Sequence, residues 1–185
     1  MKGTARRADP AFRQGISKKG EYMMLKTVLA VCCLAAVSLI AEAADAVFLP
    51  RLDQVSVNGE LLYKAGESLE QPRKLDVTLP AKVEYVFTNA GEKSAEKSLA
   101  VFVHFTSGGK IVAGGDFTPS PATTEWAPGK QMRFVRRVYL EKQKGKELSV
   151  FLGLYDAKGK GARVRLENQG IGKDLRLPLG TVLVK

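Results

Sequence analysis

Hydrophobic and polar residues alternate along almost the whole chain after Ala46, and this period of two limits the fold more than any other feature. Successive side chains of a β-strand point to opposite faces of a sheet, so the alternation predicts half-buried strands. Gly, Pro, Asn and Asp interrupt the pattern at short intervals, as turns between strands require. No sustained helical period, internal repeat or low-complexity tract follows Ala46. The sequence therefore predicts an all-β domain.

Four stretches predict the main strands and one turn. In "VSVNGELLY", Asn58-Gly59 favours a two-residue type I′ hairpin, because both turn residues need a positive φ. "KVEYVF" (82–87) has the alternation of a strand with one solvated face. "SLAVFVHF" (98–105) and "ELSVFLGLYD" (147–156) are largely apolar on both faces. We expect these last two strands at the middle of the core.

Three further stretches are less regular. In "QMRFVRRVYL", Arg136 interrupts an apolar face, and a bulge or a strand end near Val135 would restore the pattern. "ARVRL" (162–166) alternates apolar and cationic residues, which suits an exposed edge strand. Near the end of the chain, Pro178 argues against an uninterrupted central strand. Eight or nine short strands fit an immunoglobulin-like two-sheet sandwich, with a barrel as the alternative.

An apolar segment precedes this domain. Residues 25–46 have the order of a secretory signal peptide: Lys26, then an apolar stretch, then small residues in an Ala-x-Ala arrangement. We expect a signal helix here, with cleavage after Ala43 or Ala46. A retained membrane anchor is the alternative. It is disfavoured because the apolar stretch is shorter than the roughly 20 residues that span a bilayer. Only an uncleaved segment of this kind would place the protein in contact with a membrane.

The predicted organisation has three parts. Residues 1–24 are a polar, basic extension, residues 25–46 the signal peptide, and residues 47–185 a single β-sandwich domain. Met23 and Met24 directly precede the signal peptide, so translation could begin at either of them. A chain exported in this way is expected to be periplasmic or secreted.

Cysteine and charge usage narrow the chemistry of the mature chain. Both cysteines, Cys32 and Cys33, lie in the signal segment, so cleavage removes every thiol. The whole chain has 29 Lys and Arg against 19 Asp and Glu; seven and three of these precede Ala44, which leaves 22 against 16. This moderate excess does not indicate nucleic-acid binding. We expect an envelope protein or a glycan as the partner.

Three short stretches resemble a known family. "VFVHFTSGGKIVAGGDFTPSP", "TEWAPGK" and "FLGLYD" are similar to the immunoglobulin-like domain found as the soluble C-terminal module of some bacterial membrane glycosyltransferases and as a stand-alone exported domain. The likeness covers about residues 97–166. It implies a β-sandwich without catalytic residues of its own. The chain lacks the many membrane helices of those transferases, so their activity is not implied.

His104, the only histidine, and Asp116 are candidate ligand-binding residues. With Gly108-Gly109 as a two-residue loop, the hairpin register places His104 opposite Ala113. A bulge at Gly114-Gly115 would turn Asp116 to the face of His104, where it could accept a proton from the imidazole. The pair is then either part of a ligand site or a structural hydrogen bond that pins the hairpin. The apolar surroundings favour the structural hydrogen bond.

Trp126 and Tyr155 are the other two ligand-binding candidates. Trp126 lies in the loop-like "TTEWAPGK", where an exposed indole could stack on a sugar ring. The alternative, which we favour, is that the indole folds back over the end of the sandwich. Tyr155 lies on the outer face of its predicted strand, and Asp156 after it is expected to begin a turn.

No catalytic residue, metal site or cofactor is predicted. Ser107 and the threonines lie in no nucleophile-elbow context. One histidine without a mature cysteine or a spaced carboxylate cluster does not make a metal site. Glycine-rich pieces such as "SGGK" and "KGKG" lack phosphate-loop spacing. We therefore expect a non-catalytic exported domain that binds or scaffolds envelope material, glycan being one candidate, or alternatively a structural partner in an envelope protein complex.

Overall fold

A computed structural model describes residues 46–185, which form two β-sheets packed as a sandwich. The predictions for residues 1–24 and for the signal helix and cleavage sites before Ala46 lie outside the described residues. Within residues 46–185 there are ten strands, against the eight or nine predicted, and the helical content of this range is two short 3-10 turns at Thr123–Glu125 and Glu141–Gln143. No helix in the described range is long and apolar enough to cross a membrane.

The strands of residues 46–185 follow one another along the chain with connections of different lengths. In order they are β1 (Pro50–Val57), β2 (Glu60–Lys64), β3 (Lys74–Val77), β4 (Ala81–Asn89), β5 (Ala100–Ser107), β6 (Lys110–Gly114), β7 (Gln131–Val138), β8 (Glu147–Tyr155), β9 (Arg163–Val164) and β10 (Leu177–Val184). The first sheet has the order β2-β1-β4-β7, and the second has the order β3-β10-β8-β5-β6 with β9 beside the end of β8.

The strand order confirms the immunoglobulin-like sandwich. In such a sandwich strands G, F, C and C′ are neighbours in one sheet, and strands B and E are neighbours in the other. Here β10, β8, β5 and β6 are neighbours in that order, and β4 lies beside β7. The β1–β2 hairpin extends the first sheet on the far side of β4. Its turn has the predicted geometry, with φ of 52° at Asn58 and 90° at Gly59.

The core lies between the two sheets and is built from the predicted faces. β5 is flanked by β8 and β6, and β8 is flanked by β5 and β10, so both are interior strands as predicted. Their inward side chains are each at most 4% exposed: Val101, Val103, Phe105, Leu148, Val150, Leu152 and Leu154. From the opposite sheet, β4 contributes Val83, Tyr85 and Phe87.

The predicted irregularity in β7 is wrong. β7 pairs with β4 over eight consecutive residues without a register shift, so the strand has no bulge near Val135. Arg136 keeps its place on the inward face because its guanidinium lies over the ring of Phe117, 4.6 Å from the centroid. This cation–π contact therefore accommodates Arg136 in a regular strand, and the predicted bulge is absent.

The last two strands agree with the sequence in part. "ARVRL" supplies only the two-residue strand β9, at an edge beside β8. β10 is an interior strand, but its register with β8 shifts between Pro178 and Gly180. Its neighbour β3 begins to pair only at Thr181, so Pro178 needs to donate no hydrogen bond on that side.

Candidate functional site

The outer face of β5 and β8 carries a cluster of aromatic side chains around His104. Residues that alternate away from the core in the two strands meet across the sheet, because Phe102 pairs with Gly153 and His104 pairs with Phe151. Tyr155 follows two residues after Gly153 on the same face. The period of two that buries one face of these strands therefore also assembles the cluster on the other.

Gly153 allows the ring of Phe102 to lie across the neighbouring strand. A Cβ atom at Gly153 would lie 2.4 Å from Cζ of Phe102, so no other residue fits without displacing the ring. The ring centroid of Phe102 is 4.7 Å from that of His104 and 6.2 Å from that of Tyr155. The guanidinium of Arg163 lies over the ring of Phe102, 5.0 Å from its centroid. Phe102 is thus the centre of the cluster.

The register of the β5–β6 hairpin differs by one residue from the predicted register. Ser107 pairs with Lys110 as predicted, but the register shifts at Val112, which is an extra residue in β6. His104 therefore faces Gly114 rather than the predicted Ala113.

β6 does contain a bulge, but not at the predicted position. It lies at Val112 rather than at Gly114-Gly115. Its consequence for Asp116 is the predicted one, because Gly114 pairs with His104 and Phe117 bridges to Val101. Asp116, between these two residues, lies on the same face as His104.

Asp116 and His104 nevertheless do not form the predicted hydrogen bond. The Oδ1 atom of Asp116 accepts a hydrogen bond from the backbone N–H of Val103 at 3.0 Å. Nδ1 of His104 is buried and has no hydrogen-bond partner among the described residues. The hydrogen bond that fixes this hairpin is therefore the one from the backbone N–H of Val103, in β5, to the carboxylate of Asp116. The physical reason is register, since Asp116 lies across from Phe102 and not from His104.

The surroundings of His104, burial above all, favour the neutral form of its imidazole. Burial lowers the pKa of His104, Asp116 opposes this effect, and Arg163 and Arg176 lower the pKa further. A neutral imidazole has one donor and one acceptor, so His104 is suited to hydrogen bonding rather than to ion pairing.

The cluster borders an open pocket of about 210 Å³. Its lining combines aromatic, ionic and small residues: Phe102, His104, Asp116, Tyr155, Gly161 and Arg163. The turn that Asp156 was predicted to begin is confirmed, since Oδ1 of Asp156 accepts hydrogen bonds from the N–H groups of Lys158 and Gly159. This turn returns the chain so that Arg163 pairs with Tyr155 at the pocket.

Two arginines over the aromatic cluster, of which Arg163 also lines the pocket, were not recognised as site residues from the sequence. Arg163 donates a hydrogen bond to the backbone oxygen of Asp174 at 2.5 Å, and Arg176 donates to the carboxylate of the same residue. The guanidinium of Arg176 lies over the ring of Phe151, 5.0 Å from its centroid. Asp174 thus holds both guanidinium groups over the aromatic surface. The alternation in "ARVRL" pointed Arg163 outward, which was the only sequence signal for this arrangement.

Trp126 lies away from this cluster. Its side chain is 0% exposed and packs between the sheets, stacked on Phe134 with ring centroids 5.6 Å apart. Its Nε1–H donates a hydrogen bond to the backbone oxygen of Pro121 at 3.1 Å. An exposed sugar-stacking platform at Trp126 is therefore wrong, and the indole folds back into the sandwich instead.

No protein-family model matches this chain, and a search of curated proteins finds no match. The function is therefore argued from the residues of the site and its surroundings.

Proposed function

We propose that this protein is a non-catalytic binding domain of the bacterial cell envelope, and that the pocket beside His104 binds a glycan. The observation that carries the proposal is the lining of the pocket, which sets aromatic rings next to hydrogen-bonding groups. Tyr155, which is partly exposed, offers a surface for the apolar face of a sugar ring, and the buried ring of Phe102 supports it from behind. His104, Asp116 and Arg163 offer donors and acceptors for hydroxyl groups.

The size of the pocket limits the ligand. At about 210 Å³ it is smaller than the roughly 300–1,000 Å³ of typical small-molecule sites. We expect it to hold one sugar unit, with the remainder of the glycan in solvent. The signal-like order of residues 25–46 supports a periplasmic or secreted location, where such ligands occur.

The lining also supports binding rather than catalysis. No serine, threonine or cysteine is among the pocket's lining residues in the described range, so His104 has no nucleophile to activate there. One carboxylate of the pocket, that of Asp116, already accepts the N–H of Val103. The proposal therefore assigns these residues to recognition and to no chemical step.

A glycan array followed by titration calorimetry with the full chain tests the proposal. We expect binding to one glycan class, weakened about tenfold by Tyr155→Ala because a stacking surface is lost. Lys158→Ala, on an exposed residue of the adjacent turn, is the matched control and should bind like the wild type. A chain that binds no glycan, or a Tyr155→Ala variant that binds as well as the wild type, contradicts the proposal.

A second candidate function is a structural partner in an envelope protein complex. "ARVRL" suggested this function, but β9 is only two residues long and offers little edge. The observation that favours it is a longer edge, at β7. Immobilised full chain that recovers no protein in stoichiometric amount from envelope extracts would argue against this function.

A further inference from the structure

β7 ends the first sheet and leaves one side of its backbone unpaired. Within residues 46–185 it pairs only with β4, over eight residues in continuous register. The strands that end the sheets elsewhere are shorter, since β2 and β6 have five residues and β3 has four. An unpaired edge presents a row of N–H and C=O groups to which another extended chain can add. β7 is the edge with the most room for such an addition.

The charge of this edge is of one sign. Residues 130–140 contain four cations and no acidic residue. Arg137 lies directly opposite Lys82 of β4, and both side chains are exposed. Like charges in opposite positions of neighbouring strands repel each other. Of these four cations, only Arg133 forms an ion pair within residues 46–185, with the carboxylate of Glu84 at 3.0 Å. An acidic partner would relieve the repulsion between Arg137 and Lys82.

Apolar side chains alternate with these cations. Val135 is 41% exposed and lies between Arg133 and Arg137 on the outer face of β7, and Tyr139 just beyond the strand is 65% exposed. These are two of the four large hydrophobic residues that are exposed in the described part of the chain. Along this one face the cationic and apolar side chains alternate at every second residue, so a partner strand fits when the side chains on its matching face alternate between acidic and apolar in the same way.

The same charges argue against two other occupants. If a second copy paired with β7 in antiparallel fashion about Val135, Arg133 of each copy would face Arg137 of the other, which is repulsive. The N-terminal part of this chain is no better suited, since residues 1–43 carry seven basic and three acidic residues. Cations on an edge strand commonly prevent self-association. Here they would exclude another copy and still attract an acidic strand.

We propose that β7 binds an extended acidic segment of another protein by strand addition, with Arg137 and Lys82 as its charge contacts and Val135 as its apolar contact. This inference rests on the second candidate function and is independent of the pocket beside His104. A variant of each surface therefore separates the two.

The probe is a synthetic peptide of about ten residues that repeats Glu-Thr-Val-Thr. Glu and Val then alternate on one face of the extended peptide, and its length allows pairing along the whole of β7. Fluorescence anisotropy with the full chain should show binding that weakens with added salt, and a peptide with Lys in place of Glu should not bind. Two further peptides carry N-methyl groups either on all Thr amides or on all Glu and Val amides. Because alternate N–H groups of a strand point to the same side, only one of the two methylated peptides should lose binding.

Variants of the chain locate the contact. Arg137→Glu should weaken binding of the acidic peptide at least about tenfold, because it reverses the charge of one of the two proposed charge contacts. Lys110→Glu makes the same charge change on the β6 edge and should bind like the wild type. Tyr155→Ala, the pocket variant, should also bind the peptide like the wild type.

Four results would overturn the inference. They are no binding of the acidic peptide, equal binding by Arg137→Glu, equal binding of both methylated peptides, and a wild-type dimer in analytical ultracentrifugation that Arg137→Glu dissociates. The third result would show attraction by charge without strand addition. The last would assign the edge to a second copy of this chain.

Discussion

Replacing Gly153 with alanine tests whether the aromatic cluster depends on a missing side chain. A Cβ atom at Gly153 would lie 2.4 Å and 2.6 Å from two ring carbons of Phe102 and 2.9 Å from the backbone oxygen of Leu175. The ring cannot simply rotate away, because His104 and Tyr155 lie beside it and Arg163 lies over it. Overpacking of this kind costs about 1–3 kcal/mol, so we expect a loss of that size in the free energy of unfolding.

Chemical denaturation followed by circular dichroism measures this loss, and the background variant Phe102→Ala identifies its cause. In that background Gly153→Ala should cost less than in the wild type, because the ring is gone, but more than zero, because the contact with Leu175 remains. The same loss in both backgrounds would refute the role assigned to the ring. Unchanged stability of Gly153→Ala in the wild-type chain would refute the close contact itself.

Three further predictions concern single side chains. Since burial lowers the pKa of His104 from its ordinary 6.5, the unfolded chain binds the proton first. Unfolding free energy should therefore fall as pH drops below about 6.5, and urea denaturation of His104→Gln should lack this fall. Trp126→Ala should cost about 3–5 kcal/mol in denaturation, because a fully buried indole is lost. Asn89→Ala should cost about 1–3 kcal/mol and speed amide exchange at Gly91, whose N–H donates to Asn89.

Alternation alone predicted the parts of this fold that depend on local sequence. A strand with two apolar faces must be covered on both, so β5 and β8 were recognised as interior strands before their partners were known. The Asn58-Gly59 turn was predictable for the same reason, because its geometry depends on two adjacent residues. Arg136 was misjudged because its partner, Phe117, is distant in sequence and the pattern shows no sign of that contact.

The candidate site likewise has residues whose placement the sequence predicted and residues whose placement it did not. The outward position of His104 and Tyr155 on their strands follows from a period of two, and it was predicted. The placement of Arg176 over Phe151 was not predicted, because it depends on a loop in which Leu175 has a φ of 57°. A non-glycine residue in that conformation leaves no pattern in the sequence. The strands therefore position His104 and Tyr155, and the loop at Leu175 positions Arg176.

The sequence predicted correctly the face on which Asp116 lies, but it placed the bulge in β6 at the wrong residues. Gly114-Gly115 was the predicted position because two adjacent glycines favour irregular backbone, but neither glycine has a positive φ. The extra residue is Val112, whose backbone oxygen accepts a hydrogen bond from the side chain of Gln143 at 3.2 Å. A bulge leaves backbone groups without partners in the ladder, so it is favoured where another part of the chain supplies one. Because Gln143 follows 31 residues later, the glycines were the only local signal, and a distant side chain helps to place Asp116 on the face of the pocket.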